Sequence, residues 1–234
     1  MISVVIPAYN EVECLRPLTD EVLDTMRDIG QDFEILFVDD GSTDGTRDLM
    51  RTLAGEYPEV HFIGFKTNCG QTSAMAAGFK HARGDILVTL DADMQNDPRD
   101  IPRLIEKLDR YDVVCGWRQK RHDTIVRRIS SRVANYVRNK LTNERIIDVG
   151  CSLKAYRREC VQNLKLFEGM HRFLPTLVQL EGYHVVETPV NHRQRTLGTS
   201  KYNIRNRIMK AFLDLLAVRW MKKRYIRFEI EEER

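Results

Sequence analysis

Residues 85–98 read DILVTLDADMQNDP, an apolar run that ends in two carboxylates one residue apart and then in Asp97 and Pro98, the usual opening of a helix. The run is short, rich in β-branched residues and bounded by polar turn formers, so it reads as a buried strand. Working outward, the same sentence recurs. ISVVIPAY (2–9), FEILFVDD (33–40), VHFIGF (60–65) and DVVCGWR (112–118) are strand-like, and helical patterns follow from about Val12, after Thr43, through GQTSAMAAGFKHA (70–82) and after Pro98. This alternation predicts an α/β fold, a mainly parallel Rossmann-like sheet flanked by helices on both faces.

Polar residues gather where those strands end, at Tyr9-Asn10-Glu11, Asp39-Asp40-Gly41 and Asp91-Ala92-Asp93. Open α/β sheets bind ligands beyond the carboxyl ends of their strands, so the three clusters are expected to share one crevice. Asp91 and Asp93 would face the same way if the strand continued, and two carboxylates so close repel unless a cation or hydrogen-bond donors relieve them. Magnesium or manganese, completed by substrate phosphate oxygens, meets that need, and Gln95 offers a neutral oxygen. The bland alternative is a polar strand end with Asp97 starting the next helix. VDDGSTDGT (38–46) likewise reads either as a well-formed turn with Asp44 capping a helix or as a site where Asp40 accepts from a nucleobase.

The second half carries its charge unevenly. IVRRISSRVANYVRNKL (125–141) spaces Ile125, Ile129, Val133 and Val137 four apart with arginines between, as a basic amphipathic helix would. After it come CSLKAYRR (151–158), a helix-like FLPTLVQLEG (173–182), a strand HVVETPV (184–190) and a long basic helix from about Asn203 to Tyr225. That last helix sets Phe212, Leu213, Leu215, Leu216 and Trp220 among lysines and arginines, a combination suited to an anionic membrane surface. The division expected is a domain over 1–200, then a basic amphipathic helix and an acidic tail over 201–234.

Composition sets limits. With 234 residues, 42% hydrophobic and 30% charged, the chain can bury one large core. A net charge of +3 and basic stretches without aromatic stacking platforms argue against nucleic acid. Five cysteines without a CxxC pair predict neither disulfides nor zinc and fit a reducing cytoplasm. The start of the chain lacks the features of a signal peptide, and AFLDLLAV (211–218) is too short to span a bilayer.

PAYNE, VDDGSTD and LDAD, in that order and at strand ends, resemble the family 2 glycosyltransferases of the GT-A fold. NCGQTSAMAAGF, DADMQNDP, IDVGCSLKAYRR and RTLGTSKY look like the dolichyl-phosphate mannose synthases and the bacterial polyprenyl-phosphate sugar transferases within it. The resemblance covers nearly the whole chain. It implies Pro7, Tyr9 and Glu11 around the base and ribose of a nucleotide diphosphate-sugar, with Val38 and Asp40 beside them. Asp91, Ala92 and Asp93 would approach the diphosphate, with Asp93 and Gln95 as metal ligands. It further implies Arg118, Arg195 and Lys201 on phosphates, where a guanidinium's planar fork engages two oxygens. Asp148, in IDVGC, is expected to orient the acceptor, to act as a base, or merely to cap the next element. RTLGTSKY (195–202), with cations flanking Gly198 and small hydroxyls, is expected to be a mobile loop that orders over the diphosphate.

The reaction expected from this resemblance is inverting transfer of the sugar to a polyprenyl phosphate, dolichyl or undecaprenyl, by a protein lying on the cytoplasmic face of a membrane. An ionised phosphate needs no strong base, whereas a saccharide or protein hydroxyl would make Asp148 essential. A nucleotide-binding, membrane-recruited module without turnover is the alternative outside enzymes.

Overall fold

A computed structural model describes residues 1–119, 139–140, 146–195, 204–226 and 232. The basic stretch expected over 125–141 falls almost wholly outside these residues. Lys201, the rest of the RTLGTSKY segment beyond Arg195, and nearly all of the acidic tail also fall outside them.

Seven strands form one sheet in the order β3-β2-β1-β4-β6-β5-β7. They are β1 (Ile2–Ala8), β2 (Phe33–Asp39), β3 (Val60–Gly64), β4 (Ile86–Thr89), β5 (Val113–Arg118), β6 (Lys154–Arg157) and β7 (Val185–Val190). The pairs β1·β2, β1·β4, β2·β3 and β5·β7 are parallel. Among the described strands only β6 runs against its neighbours, pairing with β4 on one side and β5 on the other. The expected mainly parallel sheet is therefore present, and the antiparallel strand falls in KAYR, a stretch whose sequence gave no strand signal.

Helices cover both faces because strand residues alternate between two apolar sides. Ile2, Val4 and Ile6 of β1 pack with Leu15, Leu18 and Val22 of α1 (Val12–Ile29), Met50 and Leu53 of α2 (Thr46–Glu56), and Ile101 and Leu104 of α4 (Ile101–Lys107). Val5, from the same strand, faces the other way with Ala74, Met75 and Phe79 of α3 (Gln71–His81) and Leu174 and Val178 of α5 (Leu174–Leu180). A third cluster joins Met170, Phe173, Leu177 and Leu180 to Leu215 and Val218 of α6 (Ile204–Arg224).

The turns match their sequence cues. Gly41 has φ +75°, and a Cβ there would lie 2.5 Å from the Thr67 carbonyl carbon and 2.6 Å from the Asn68 nitrogen. Glycine at this position both takes the left-handed conformation and lets the 67–68 backbone close against the end of β2. All five cysteines are free thiols. Among the described residues no helix is long and apolar enough to cross a membrane.

The direction of the strands places the chemistry. β1, β2, β4, β5 and β7 all end on one edge of the sheet, and β6, running the other way, starts there. The segment that precedes β6 therefore joins the strand ends, which is how Asp148 comes to the same edge as Asp40, Asp91 and Arg118.

Candidate active site

At the end of β1 the backbone turns through Asn10, a non-glycine residue at φ 54°. Asn10 stitches β1 to β2: its N–H donates to Ser42 Oγ at 2.9 Å and its Oδ1 accepts from Thr43 N–H at 2.7 Å. Asp44 accepts from Thr46 N–H at 3.0 Å, at the start of α2, and from Val12 N–H at 3.4 Å, at the start of α1. Asp44 thus restrains two helix starts rather than the one expected.

Asp40 is nearly fully buried. Its carboxylate accepts from Cys69 N–H at 2.7 Å, Gly70 N–H at 2.9 Å and Asn68 Nδ2 at 3.0 Å. Burial pushes its pKa up, and the Cys69 and Gly70 amides oppose that shift. Asp40 thereby organises the NCG turn that leads into α3. Val38 and Ala92 are buried, so any contact they make with a ligand runs through the backbone, while Tyr9 stands exposed at the rim.

The carboxylate pair lies just past β4. Asp91 Oδ1 accepts from Gln71 Nε2 at 2.9 Å, and its N–H donates to Asn96 Oδ1 at 3.2 Å. Asp93 Oδ1 accepts from Gln95 N–H at 3.2 Å. Met94 between them takes φ 62°, the second non-glycine residue in the left-handed region. Such a conformation is disfavoured by sterics and persists where its surroundings impose it. Here the imposing contacts come from beyond β7: Gln95 O accepts from Arg193 N–H at 2.9 Å, and Gln95 Nε2 donates to Arg193 O at 3.4 Å. Arg193 is itself held by Glu21 at 2.7 Å and Asp97 at 2.9 Å.

Asp93 shows the electrostatic consequence. Burial, and then the charge of Asp91, push its pKa up to about 6, against the Gln95 amide and Arg195, which favour the ionised form. The Asp93 charge is held where burial and the neighbouring Asp91 disfavour it, which is the condition a bound cation relieves. Among the described residues no group of three or more His, Cys, Asp or Glu side chains is arranged to hold a metal ion unaided. Asp91, Asp93 and the Gln95 amide fit a cation that takes its remaining ligands from substrate phosphate and water.

Arg195 leans over this pair. Its Nη2 lies 2.7 Å and 2.9 Å from the two Glu11 oxygens, and its Nη1 lies 3.7 Å from Asp93 Oδ2. Two residues drawn from the sequence for separate duties, Glu11 for the nucleoside and Arg195 for phosphate, are therefore in direct contact.

A second polar group lies at the end of β5. Arg118 Nε donates to Asp148 Oδ2 at 2.6 Å, its Nη2 donates to Asp148 Oδ1 at 2.8 Å, and its backbone N–H reaches Oδ2 at 3.2 Å. Gly150 N–H adds a further donor to Asp148 at 3.2 Å. The Glu187 carboxylate accepts from the N–H groups of Ile147 and Asp148 at 2.8 and 3.0 Å and so fixes the loop. Gly150 leaves room for the pair, since a Cβ there would sit 2.9 Å from Arg118 Nη2.

Between the two groups lies a cavity of about 130 Å³, lined among others by Pro7, Gln71, Asp91, Gly150, Lys154 and His171. Gln71, Glu187, Lys154 and His171 were not among the residues drawn from the sequence. For Gln71 the available signal was its place at the start of the GQTSAMAAGF helix, next to a strand-end cluster.

A mainly parallel sheet that gathers paired carboxylates and fixed guanidinium groups along one carboxyl edge is the architecture of GT-A nucleotide-sugar transferase domains. Residues 3–165 match the model of Glycosyl transferase family 2, and the chain belongs to that family.

Two curated relatives are each 40% identical. Dodecaprenyl-phosphate galacturonate synthase of Rhizobium johnstonii aligns over 223 residues, 93% of this chain. Undecaprenyl-phosphate 4-deoxy-4-formamido-L-arabinose transferase of Pectobacterium carotovorum aligns over 218 residues, 92% of this chain. The chain spans 66% of the length of each. Among solved structures, a mannosyltransferase from Pyrobaculum calidifontis in complex with GDP-Man and Mn2+ superposes with TM-score 0.65 at 21% identity, over 92% of this chain and 63% of that one. Glucosyl-3-phosphoglycerate synthase from Mycobacterium tuberculosis in complex with Mn2+, UDP and phosphoglyceric acid superposes with TM-score 0.71 at 19% identity, over 97% of this chain and 80% of that one.

Proposed function

We propose that the chain transfers a sugar, with inversion, from a nucleotide diphosphate-sugar to a polyprenyl phosphate at the cytoplasmic face of a membrane. The names of the two 40%-identical relatives support the acceptor class. They carry a galacturonate and a formamido-arabinose, so the donor panel extends beyond the mannose donors to which the dolichyl-phosphate mannose synthase resemblance points.

One observation carries the acceptor reading. The Asp148 carboxylate accepts from three donors of Arg118 and from Gly150, so its lone pairs are already engaged. A carboxylate so engaged serves first to orient the guanidinium of Arg118. A sugar or protein hydroxyl would need a base there; a phosphate monoester is already ionised at neutral pH. In the reaction an acceptor phosphate oxygen forms a bond to the anomeric carbon, and the bond from that carbon to the β-phosphate oxygen breaks. The nucleoside diphosphate leaves with the bonding electrons.

The chain's own contribution is to hold two anions together and to meet the charge growing on the leaving group. Arg118, pinned by Asp148, and Arg195, placed beside Asp93, are oriented before substrate arrives, and Lys201 joins them in this reading. Asp91, Asp93 and Gln95 would hold the divalent cation, which when bound neutralises the diphosphate.

The exposed side of α6 supports membrane association. Phe212, Leu213, Leu216 and Trp220 are exposed on one side of the helix, while Leu215 and Val218 are buried on the other. Lys210, Lys223 and Arg224 are exposed on the same helix. Apolar side chains flanked by cations match an anionic lipid surface.

Offering one nucleotide-sugar to undecaprenyl phosphate and to undecaprenol tests the acceptor class. Label passing only to the phosphate supports the proposal. Label on the alcohol, or on a saccharide in its place, would favour the hydroxyl-acceptor reading and return Asp148 to the role of base.

A further inference from the structure

Lys154 opens β6 and is paired in register with Thr89 of β4 and Cys115 of β5, at the edge where the strand ends meet. Its side chain is only 3% exposed. The ammonium donates to the carbonyl of Cys151, and among the described residues it has no carboxylate in ion-pairing range. An ammonium carries three donors and a full charge, and burying it without an anion is unfavourable. Among the described residues this lysine therefore has no counter-charge.

The cavity described above lies against it. His171 and Arg172 line the same space, and the His171 ring is fixed by a 2.7 Å contact between its Nδ1 and Thr72 Oγ1. Both residues belong to a short 3-10 helix, Met170–Phe173, that packs through Met170 and Phe173 onto Leu215 and Val218 of α6. The opposite side of α6 carries the exposed Phe212, Leu213, Leu216 and Trp220. The cavity thus has Asp91, one of the paired carboxylates, on one wall. On another it has residues whose support is the helix with the exposed apolar side.

From this placement we infer that Lys154, with His171 and Arg172, forms the subsite that receives the phosphate monoester of the lipid acceptor. The inference rests on the polyprenyl-phosphate reading. It assigns the acceptor anion to a buried cation distinct from Arg118 and Arg195, which serve the donor diphosphate. An oxyanion at Lys154 would lie beside the donor end of the crevice, with its alkyl chain leading toward α6. A cavity of this size holds a few waters when no ligand is present, so a phosphate group can enter without repacking the core.

The test uses the whole chain with farnesyl phosphate as a soluble acceptor, and compares Lys154→Met, Lys154→Arg and the wild type. Lys154→Met is expected to raise the acceptor KM at least tenfold and to leave the nucleotide-sugar Kd within twofold, and Lys154→Arg to recover most of the loss. Farnesyl phosphate is expected to raise the wild-type Tm and not that of Lys154→Met. Should Lys154→Met fail to fold, Arg172→Gln and His171→Gln carry the same two readouts from less buried positions. Unchanged acceptor KM and unchanged ligand-induced Tm shift in these variants, with the wild type active on farnesyl phosphate, would overturn this subsite and leave the transferase reading intact. A wild type that binds nucleotide-sugar but neither binds nor glycosylates farnesyl phosphate would overturn both.

Discussion

Arg118 and Asp148, 30 residues apart in sequence, meet in a two-point ion pair with Nε to Oδ2 at 2.6 Å and Nη2 to Oδ1 at 2.8 Å. Both side chains are largely withdrawn from solvent, at 17% and 6% exposure. The pair holds a strand-end arginine in one place, and in the proposed reading this makes Asp148 a positioning residue.

Asp148→Asn and Arg118→Ala are therefore expected to act as one unit. Each should lower kcat on the order of 10²-fold, the size associated with losing one preorganised charge donor. The double variant should be no worse than Arg118→Ala alone. Steady-state kinetics across pH checks this, because a general base would instead give additive losses and a rate in Asp148→Asn that climbs with pH. Asp148→Ala, which strands a buried guanidinium, should also cost about 3 kcal/mol, read as a fall in Tm of about 6–12 °C for a domain of this size.

Asp93 gives a pH prediction with a definite sign. Its folded-state pKa is raised from 3.8 to about 6, so the folded protein holds this proton more tightly than the unfolded chain does. The stability linked to it is fully present below about pH 4 and is lost as pH rises through about 6. Without divalent cations, Asp93→Asn should melt above the wild type at pH 7.5 and level with it near pH 4. Manganese with nucleotide should reverse the order at pH 7.5, and cation affinity should weaken as pH falls through 6 because the proton competes. A thermal shift series in pH, with and without chelator, reads all three.

Two glycines should respond in different ways. Gly41→Ala places a Cβ against the Thr67–Asn68 backbone at a left-handed residue, and it should cost at least about 2 kcal/mol of stability. Gly150→Ala meets side-chain ends alone, Arg118 Nη2 at 2.9 Å and Asp148 Oδ1 at 3.5 Å. It should melt near the wild type while losing activity, because the guanidinium is pushed from its place. Chemical denaturation set beside kcat separates the two.

Binding to vesicles containing anionic lipid should depend on salt and on the exposed side of α6. Trp220→Glu together with Phe212→Glu should remove most of it without lowering Tm, since both side chains are exposed. Neutralising Lys210, Lys223 or Arg224 should cost about 1 kcal/mol each, a roughly fivefold loss per residue. Vesicle co-sedimentation at two salt concentrations measures this, and salt-independent binding would contradict it.

Much of the fold was legible because parallel strands advertise themselves. ISVVIPA, FEILFVD and VVCGWR are short apolar runs with polar ends, and the rule that such ends converge brought Glu11, Asp40, Asp91 and Asp93 to one edge, where Arg118, drawn from the family resemblance, also lies. β6 was not legible. Four residues reading KAYR give too short a pattern, and their partners in β4 and β5 are distant in sequence. The pairings inside the site were hidden for a related reason: Arg118 with Asp148 and Arg195 with Glu11 are tertiary contacts that no local spacing encodes. Lys154 was hidden by its chemistry, since a lysine in a strand is ordinarily read as exposed, and that no described residue supplies it a counter-charge is visible only once the strand is placed.

The most direct measurement of the central claim is transfer from radiolabelled UDP- and GDP-sugars, galacturonate and arabinose-type donors included, to undecaprenyl or dolichyl phosphate. Manganese, magnesium and chelator form the arms. Label is expected in the organic phase only with a divalent cation, and none from Asp93→Asn. Clear nucleotide-sugar binding without any lipid product, whatever the donor and cation, would contradict it.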